Sequence, residues 1–206
     1  MSADEQTKGR GQGQKSWFSP PKKNLYTSFH LITTGADAHN LAQLLSISAM
    51  QVFPKIPILF KWPNDLFLSN KKIAGSLCEV ISDIHAIVGL GLNVLMTKEE
   101  CAKIDQSATS LFIETGISFN IEEIGRLIRT QFQTNINLFT QQGFAPFIQF
   151  INEKLAYKGK IVTITSRGSS TRGVLLGVNQ QGTVLLKKED GEIKTFFSGS
   201  LGYILD

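Results

Sequence analysis

The sequence predicts an α+β fold: a mixed β-sheet with flanking helices, followed by a small C-terminal SH3-like β-barrel. Two capping boxes mark helix starts, and the second precedes a long apolar stripe of 3.6-residue period between positions 121 and 139. Strand-like runs separated by turn residues occupy much of residues 24–96. From Lys158 onward short β runs and hairpin turns follow. A domain boundary is therefore predicted near residue 157, between a domain of residues 1–156 and one of residues 157–206.

The first elements follow from local signals. Residues 1–23 are rich in Gly, Gln and Lys and have little periodicity, so an extended loop is predicted there. A strand is predicted at 24–32, and a core-facing helix begins after Asp37, a good N-cap residue. Two prolines end that helix before a short buried strand at 58–60.

The later elements of the first domain begin with a rigid turn, because Pro63 fixes its own φ and restrains the residue before it. The strands and helices predicted after it are a hairpin of 66–68 and 72–80 around a turn at 69–71, a strand at 86–96, helices opened by Thr97-x-x-Glu100 and Asn120-x-x-Glu123, and a helix over 145–155. In the second domain the β runs are 161–164, 173–178, 183–188 and 193–197, with turns at Gln181-Gly182 and Asp190-Gly191.

Composition limits the class of protein. Of 206 residues, 42% are apolar and 18% are charged, which permits a sizeable core and excludes wholesale disorder. The net charge of +4 is concentrated in residues 1–30 and 157–206. It favours an anionic ligand near the N-terminus and supports a nucleic-acid binder only weakly.

Membrane and secreted classes are not expected. No stretch approaches the roughly 18 apolar residues of a membrane-spanning helix, and the N-terminus is acidic where a secretory signal is basic. The two cysteines, Cys78 and Cys101, have neither metal-like nor disulfide-framework spacing. A reduced, cytoplasmic protein is expected.

The first candidate site is the glycine-rich loop of residues 9–15. Its three glycines let the backbone approach a ligand closely, while Arg10 and Lys15 add positive charge, a combination that suits a phosphate or acyl-phosphate. Gln14 departs from both the Walker A pattern and the G-x-G-x-x-G pattern. A flexible basic tail is the alternative interpretation.

Three further candidates follow along the chain. Residues 61–65 form a rigid turn that presents Asn64 and Asp65, although an ordinary turn explains them as well. On the next strand Gly75 leaves room for a ligand beside Lys72, which is suited to neutralise charge on a phosphate; the alternative is a solvated hairpin lysine.

The fourth candidate is Gly89-x-Gly91-x-Asn93. Glycines at alternate strand positions mark close approach by something flat. Core crowding explains the glycines equally well but not Asn93. The three histidines form no arrangement typical of a catalytic nucleophile or a metal site. The four candidate elements therefore indicate a protein that binds an anion rather than one that attacks with a side-chain nucleophile.

Together, in this order, these elements resemble those of biotin–protein ligases (biotin–[acetyl-CoA-carboxylase] ligases). The residues that carry the resemblance are Gln6-Thr7-x-Gly9-Arg10-Gly11 with Trp17-x-Ser19-Pro20, Lys61-Trp62-Pro63-Asn64-Asp65, Lys72-x-Ala74-Gly75 with Glu79, and Gly89-x-Gly91-x-Asn93. The resemblance covers essentially the whole chain and implies the class II synthetase-like (biotin–lipoate ligase) fold. It implies ATP and biotin as substrates with Mg²⁺, formation of biotinyl-5′-AMP, and transfer of biotin to a lysine of a biotin carboxyl carrier domain.

The resemblance also implies roles for individual residues. Arg10 and Lys72 are the expected catalytic residues, which stabilise charge where two anions meet. The biotin or biotinyl-AMP site is expected to contain Gln6, Gly9, Arg10, Gly11, Gln12, Lys72 and Gly75. The nucleotide site is expected to contain Trp17, Asn64, Asp65, Gly89, Gly91 and Asn93. No metal-ligating residue of the protein is predicted, neither nucleic acid nor membrane is an expected partner, and a homodimer is compatible with the resemblance.

Two departures from the family pattern affect these expectations. Gln12 stands where the family usually has a second arginine, so it lacks a permanently charged bidentate fork. Family members also carry a strand and helix before the glycine-rich loop, with a Ser-Thr-Asn stretch lining the biotin pocket. We expect that element, and the helix-turn-helix domain of some members, to be absent here, which puts the activity of these 206 residues in doubt.

Two alternatives remain open at this point. A lipoate or octanoate protein ligase or transferase shares the fold and the acyl-to-lysine chemistry. The other alternative is a degenerate, non-catalytic binding module, in which basic residues of the C-terminal barrel, Arg167, Arg172, Lys187 and Lys188, contact nucleic acid or protein. Few aromatic residues interleave with those charges, which weakens the nucleic-acid version.

Overall fold

The larger of two β-sheets is built from antiparallel pairs. In the computed structural model, which describes residues 1–13, 15–32 and 38–203, this sheet has the strand order β1-β2-β6-β5-β4-β3. Its strands are β1 (Ser2–Ala3), β2 (Asn24–Ile32), β3 (Leu59–Lys61), β4 (Asp65–Leu68), β5 (Lys71–Ser82) and β6 (His85–Asn93). The α+β class is confirmed. Each ladder of this sheet is antiparallel, where a mixed sheet was predicted, because short turns join β3 to β6 in succession.

The N-terminal segment is a loop with one short strand. Strand β1 pairs with Tyr26 and Thr27 of β2, within the stretch predicted to be an extended loop. The predicted strand at 24–32 is confirmed by β2, and the strand predicted at 58–60 is displaced by one residue in β3. Asp37, the predicted N-cap, lies outside the described residues.

Helices cover one face of the larger sheet. Helix α1 (Ala38–Val52) packs against β5 and β6 and against α4 (Ile121–Gln142). Alternate residues of β6, namely Val88, Leu90 and Leu92, are buried toward these helices. Gly89 and Gly91 therefore lie on the opposite face, which the helices leave open. None of the described helices is long and apolar enough to cross a membrane.

Helices of different lengths connect the two sheets. Thr97 forms the predicted reciprocal capping box with Glu100 at the start of α2 (Lys98–Cys101). The second predicted capping box, at α4, is half formed. The Asn120 side chain accepts a hydrogen bond from the Glu123 amide, but the Glu123 carboxylate pairs with Arg126 instead of the Asn120 amide. Helix α3 (Leu111–Thr115), which begins after Ser110, was not predicted. The helix predicted over 145–155 is a 3₁₀ turn (Ala145–Phe147) followed by α5 (Ile148–Glu153).

The second sheet contains five antiparallel strands in the order β10-β9-β8-β7-β11. They are β7 (Ile161–Ser166), β8 (Ser169–Val178), β9 (Val184–Lys187), β10 (Ile193–Phe196) and β11 (Ser200–Gly202), of which β11 was not predicted. Gly182 and Gly191 take positive φ at the two predicted turns. The closure of this sheet into a barrel and the domain boundary near residue 157 stay predictions.

The two sheets are joined by a continuous core and by polar contacts. Buried apolar side chains from both belong to one packed cluster. On the polar side, the Gln43 amide donates to the Gly182 carbonyl at 2.8 Å, and the Asn152 side chain bonds both backbone groups of Val178. These contacts hold the second sheet against α1 and α5, so that β11 reaches the open face of the larger sheet.

Candidate active site

A cavity of about 420 Å³ lies on the open face of the larger sheet. The glycine-rich loop forms one side of it, the turn at 61–65 forms another, and β5 and β6 form the floor. Ser200 and Leu201 of β11 close part of the rim, together with Gln106. All four sequence elements singled out above therefore meet in one place.

Most of the predicted site residues line this cavity. They are Gln6, Arg10, Gly11, Gln12, Trp17, Asn64, Asp65, Lys72, Gly75, Gly89 and Gly91. Two predicted residues, Gly9 and Asn93, are not among its lining residues.

Gly9 allows the glycine-rich loop to fold back on itself. The Trp17 amide donates to the Gly9 carbonyl at 2.9 Å, and the Gly11 amide donates to the Lys15 carbonyl at 2.7 Å. A Cβ at position 9 would lie 2.5 Å from the Trp17 carbonyl oxygen, so only glycine fits this close approach. The Gly11 amide is thus used within the loop. Gly9 shapes the loop rather than the cavity wall.

The two motif glycines Gly75 and Gly91 support the indole ring of Trp17. A Cβ on Gly91 would lie 2.4 Å from Trp17 Cε2, and a Cβ on Gly75 would lie 3.2 Å from Trp17 Cζ3. The flat group predicted to lie against the alternate glycines is, at Gly91, a side chain of the chain itself, whereas Gly89 faces Ser28 and Thr27. Lys72 Nζ lies 5.4 Å from the centre of the same ring, within the range of a cation–π contact. Trp17 consequently forms a fixed flat surface inside the cavity.

Lys72 and Asp65 form an ion pair in the floor of the cavity. Their Nζ and Oδ1 atoms are 2.7 Å apart, and their side chains are 14% and 24% exposed. Asp65 lies directly across from Gly75 in the β4–β5 ladder, and Gly75 leaves room for both charged groups. Because the pair is largely shielded from water, its charges act on a ligand with little screening.

Arg10 provides a second, more exposed cation. Its guanidinium lies 2.9 Å from the Glu79 carboxylate, with the Arg10 side chain 72% exposed. Gln12, its neighbour in the loop, is also exposed and carries no charge. Arg10 is therefore tethered at the mouth of the cavity rather than buried in it.

Asn64 lines the cavity, but its amide is already engaged. It donates to the Ser76 carbonyl, while the Ser76 amide donates to the Asn64 carbonyl at 3.0 Å. The Ser76 hydroxyl in turn bonds Ser46 of α1 at 2.9 Å. These bonds fix the turn, which contains a cis Trp62–Pro63 peptide, against β5 and the helix layer. Direct contact of Asn64 with a nucleotide stays a prediction.

Asn93 requires a correction. Its side chain is 2% exposed, accepts from Asn24 at 3.3 Å and donates to the Thr109 carbonyl at 3.0 Å. Both ends of its amide are satisfied within the fold. The alternation along β6 correctly placed it on the face of Gly89 and Gly91, but the loop at Thr109 covers that end of the strand. Asn93 thus fixes the fold behind the cavity and does not face it.

Several cavity residues were not predicted as site residues. Lys61 and Trp62 were noted as part of a turn and of the motif that carries the resemblance, without a role at the site, although both line the cavity. Burial lowers the pKa of Lys61 from its ordinary value, the nearby Asp65 carboxylate partly offsets this, and the lysines 72 and 15 lower it less strongly. Ser200 and Leu201 come from the other sheet, and no local signal in the sequence indicates this contribution.

No metal-binding cluster of three or more His, Cys, Asp or Glu residues occurs in the described part of the chain. Asp65 and Glu79 are the carboxylates that line the cavity there, and each is paired with a cation.

Comparisons with known proteins give the same picture as the geometry. The model of the biotin/lipoate A/B protein ligase family matches residues 2–93. Among curated relatives, the bifunctional ligase/repressor BirA of Escherichia coli is 29% identical over 208 residues, which cover 97% of this chain and 64% of that protein. The biotin–[acetyl-CoA-carboxylase] ligase of Paracoccus denitrificans is 25% identical over 217 residues, which cover 96% of this chain and 89% of that protein.

The chain thus spans about two thirds of the length of the bifunctional relative. Among solved structures, the biotin protein ligase from Aquifex aeolicus in complex with biotin and ATP is 31% identical with a TM-score of 0.84. That alignment covers 98% of this chain and 86% of the Aquifex chain. On this identity and coverage, the chain belongs to the biotin protein ligase family.

Proposed function

We propose that this chain condenses biotin with ATP to biotinyl-5′-AMP and then transfers biotin to a lysine of a biotin carboxyl carrier domain. The position of Lys72 carries this proposal. Its ammonium lies in the floor of the cavity, paired with Asp65 and beside the Trp17 ring, where a carboxylate and a phosphate would otherwise repel each other.

The first step joins two anions. A carboxylate oxygen of biotin forms a bond to the α-phosphorus of ATP, and the bond from that phosphorus to the oxygen that joins it to the β-phosphorus breaks, so that pyrophosphate leaves with the electron pair. Lys72 and Arg10 stabilise the negative charge that accumulates as the groups approach, and the Trp17 ring orients the planar part of a ligand. In the second step the ε-amine of the acceptor lysine attacks the acyl carbon, and AMP leaves.

The residue assignments form part of this proposal. Gln6, Gly11, Gln12 and Gly75 are assigned to the biotin side of the cavity, and Trp17, Asn64, Asp65, Gly89 and Gly91 to the nucleotide side. Their common position around one cavity supports the assignment. Gly9 contributes through the shape of the loop.

The acceptor and the cellular setting are also proposed. The carrier domain of acetyl-CoA carboxylase is the partner suggested by the name of the Paracoccus relative. A reduced cytoplasmic setting agrees with two free cysteines, Cys78 and Cys101. The homodimer stays a prediction, which sedimentation of the purified chain checks.

Attachment of lipoate or octanoate is the second candidate, because the matching family model covers lipoate ligases as well. We favour biotin because the relatives compared above are biotin ligases. The degenerate binding module is disfavoured by the paired charges of the cavity, which place a lysine and an aspartate together out of water.

The test is acyl transfer to a purified biotin carboxyl carrier domain, read by mass spectrometry, with biotin, lipoate or octanoate as the acid. We expect biotin alone to be attached, with ATP required. Lys72→Met should lower the rate at least about 100-fold, as for removal of a transition-state charge contact. Lys71→Met, which removes an exposed neighbouring lysine outside this cavity, is the matched control and should retain the rate.

Two results would contradict the proposal. Transfer of lipoate or octanoate in preference to biotin would replace it with the second candidate. A folded chain that transfers none of the three acids would indicate the binding module.

A further inference from the structure

Two histidines that the proposed reaction does not use meet on the open face of the larger sheet. His30 Nε2 and His85 Nδ1 are 2.9 Å apart, so one ring nitrogen donates a hydrogen bond and the other accepts it. The ring planes are inclined by 19°, and their centres are 4.9 Å apart. Because the two residues are 55 positions apart in the sequence, no local spacing indicates this pair.

The pairing of β2 with β6 brings the two rings together. His30 lies opposite Ile87, and Ile32 lies opposite His85, so the histidines occupy one diagonal of a square of four residues and the isoleucines occupy the other. Diagonal neighbours of an antiparallel pair are about 7–8 Å apart, which is within reach of an aromatic ring. The strand register therefore holds the two imidazoles side by side.

The facing nitrogens of this histidine pair are accessible to a further ligand. His30 is exposed and His85 is partly exposed. Within residues 1–13, 15–32 and 38–203, no other group forms a hydrogen bond with either ring. On β5, Glu79 lies opposite Ile87, but its carboxylate is paired with Arg10 at 2.9 Å. The site thus consists of two imidazole nitrogens, and neutral imidazole is the commonest metal ligand in proteins.

We propose that His30 Nε2 and His85 Nδ1 together bind a divalent first-row transition metal ion, with water at its remaining positions. Two nitrogens bound at about 2.0–2.1 Å and at right angles to each other lie about 2.9 Å apart, whereas tetrahedral ligands lie about 3.4 Å apart. The separation of 2.9 Å therefore fits Ni²⁺ or Cu²⁺, which take square or octahedral arrangements, better than Zn²⁺.

Binding requires a rearrangement of hydrogen but no change in charge. The hydrogen that the pair shares moves to the other nitrogen of the donor ring, where it faces solvent, so that both facing lone pairs become available. A rotation of the two side chains then directs both lone pairs toward the ion. The site lies beside the cavity, because Ile87 lines the cavity wall, but the inference does not depend on the proposed function.

The test is calorimetric titration of the untagged chain with Ni²⁺, without ATP or biotin. We expect one ion to bind per chain. His30→Gln and His85→Gln each remove one ligand and should raise the Kd for Ni²⁺ at least about tenfold, to a similar extent because each leaves a single imidazole. The electron paramagnetic resonance spectrum of the Cu²⁺-loaded chain should show coupling to two nitrogen ligands.

His39→Gln is the matched control. It removes the third histidine, which lies on α1 and bonds the Gln181 carbonyl oxygen at 2.9 Å. Because His39 does not belong to the pair, this variant should bind Ni²⁺ with unchanged affinity.

Three results would overturn the inference: no Ni²⁺ binding by the unsubstituted chain, unchanged affinity in either variant of the pair, or an equal loss in His39→Gln. If His30→Gln lacks a cooperative thermal transition, His85→Gln is measured against the same threshold. The Cu²⁺ spectrum of the unsubstituted chain needs no variant, and coupling to fewer than two nitrogens would also overturn the inference. The proposed function is tested separately, by biotin transfer.

Discussion

The contact between Gly91 and Trp17 yields the sharpest prediction. Gly91→Ala adds a methyl carbon that would lie 2.4 Å from Trp17 Cε2 and 2.5 Å from Nε1. Ordinary van der Waals contact begins at 3.4 Å, so the indole ring must retreat by about 1 Å. Overpacking of this kind costs about 1–3 kcal/mol. If Trp17 forms part of the nucleotide surface, its displacement should also raise the Kd for ATP.

Gly89→Ala is the matched variant on the same strand and face. Its added carbon would lie 3.5 Å from Ser28 Oγ and 3.8 Å from the Thr27 carbonyl oxygen, which is ordinary contact. This variant should leave the position of Trp17 unchanged. The comparison therefore separates displacement of the ring from the general effect of a methyl group on β6.

The assay is acrylamide quenching of tryptophan fluorescence in the ligand-free chain, combined with ATP titration. Trp62 is buried and contributes a shielded signal, so a displaced Trp17 should increase the quenchable fraction in Gly91→Ala alone. Identical quenching and ATP affinity in the two alanine variants would refute the claim that Gly91 positions Trp17. A cooperative thermal transition in each variant confirms that both are folded.

Three further predictions concern charge, retention and acidity. Asp65→Asn keeps the shape of the side chain but removes the charge that pairs with Lys72 at 2.7 Å. The rate of biotin-dependent ATP–pyrophosphate exchange should therefore fall about tenfold or more. An unchanged rate would show that the ion pair plays no part in the mechanism. Gln12→Arg should slow release of the adenylate, measured by filter binding, because an arginine adds a positively charged guanidinium that can form two hydrogen bonds to an anion. Equal release rates in the two chains would show that the residue at position 12 does not hold the ligand. Burial raises the pKa of Cys78 to about 11, so its thiol is protonated at neutral pH. Its alkylation should be slow at pH 8 and accelerate as the pH approaches 11, whereas a rate typical of a free thiol at pH 8 would contradict its burial.

The sequence was most informative where a feature is local. Asn120 and Thr97 cap the predicted helices, and glycines take positive φ at both predicted hairpin turns. Alternation along a strand also placed Gly89 and Gly91 correctly on the open face of the sheet. Strand pairing between distant segments is set by tertiary packing, and for that reason the antiparallel pairing of β2 with β6 was not predicted, although the hairpin of β4 and β5 was.

Long-range contacts explain the errors in the site. Asn93 lies at the same alternate positions of β6 as Gly89 and Gly91, which border the cavity. Its side-chain amide is nevertheless hydrogen-bonded to Asn24 and to the Thr109 carbonyl, which are distant in sequence. Similarly, the desolvation of Lys61 depends on tertiary burial, and the part played by Leu201 depends on how the second sheet docks. These properties arise only when separate elements meet.

Biotin-dependent exchange of pyrophosphate into ATP is the most direct test of the central claim that this cavity activates a carboxylate with ATP. We predict exchange with biotin, none with lipoate or octanoate, and near-complete loss in Lys72→Met. Exchange that proceeds equally without an added acid, or that survives Lys72→Met, would contradict the claim.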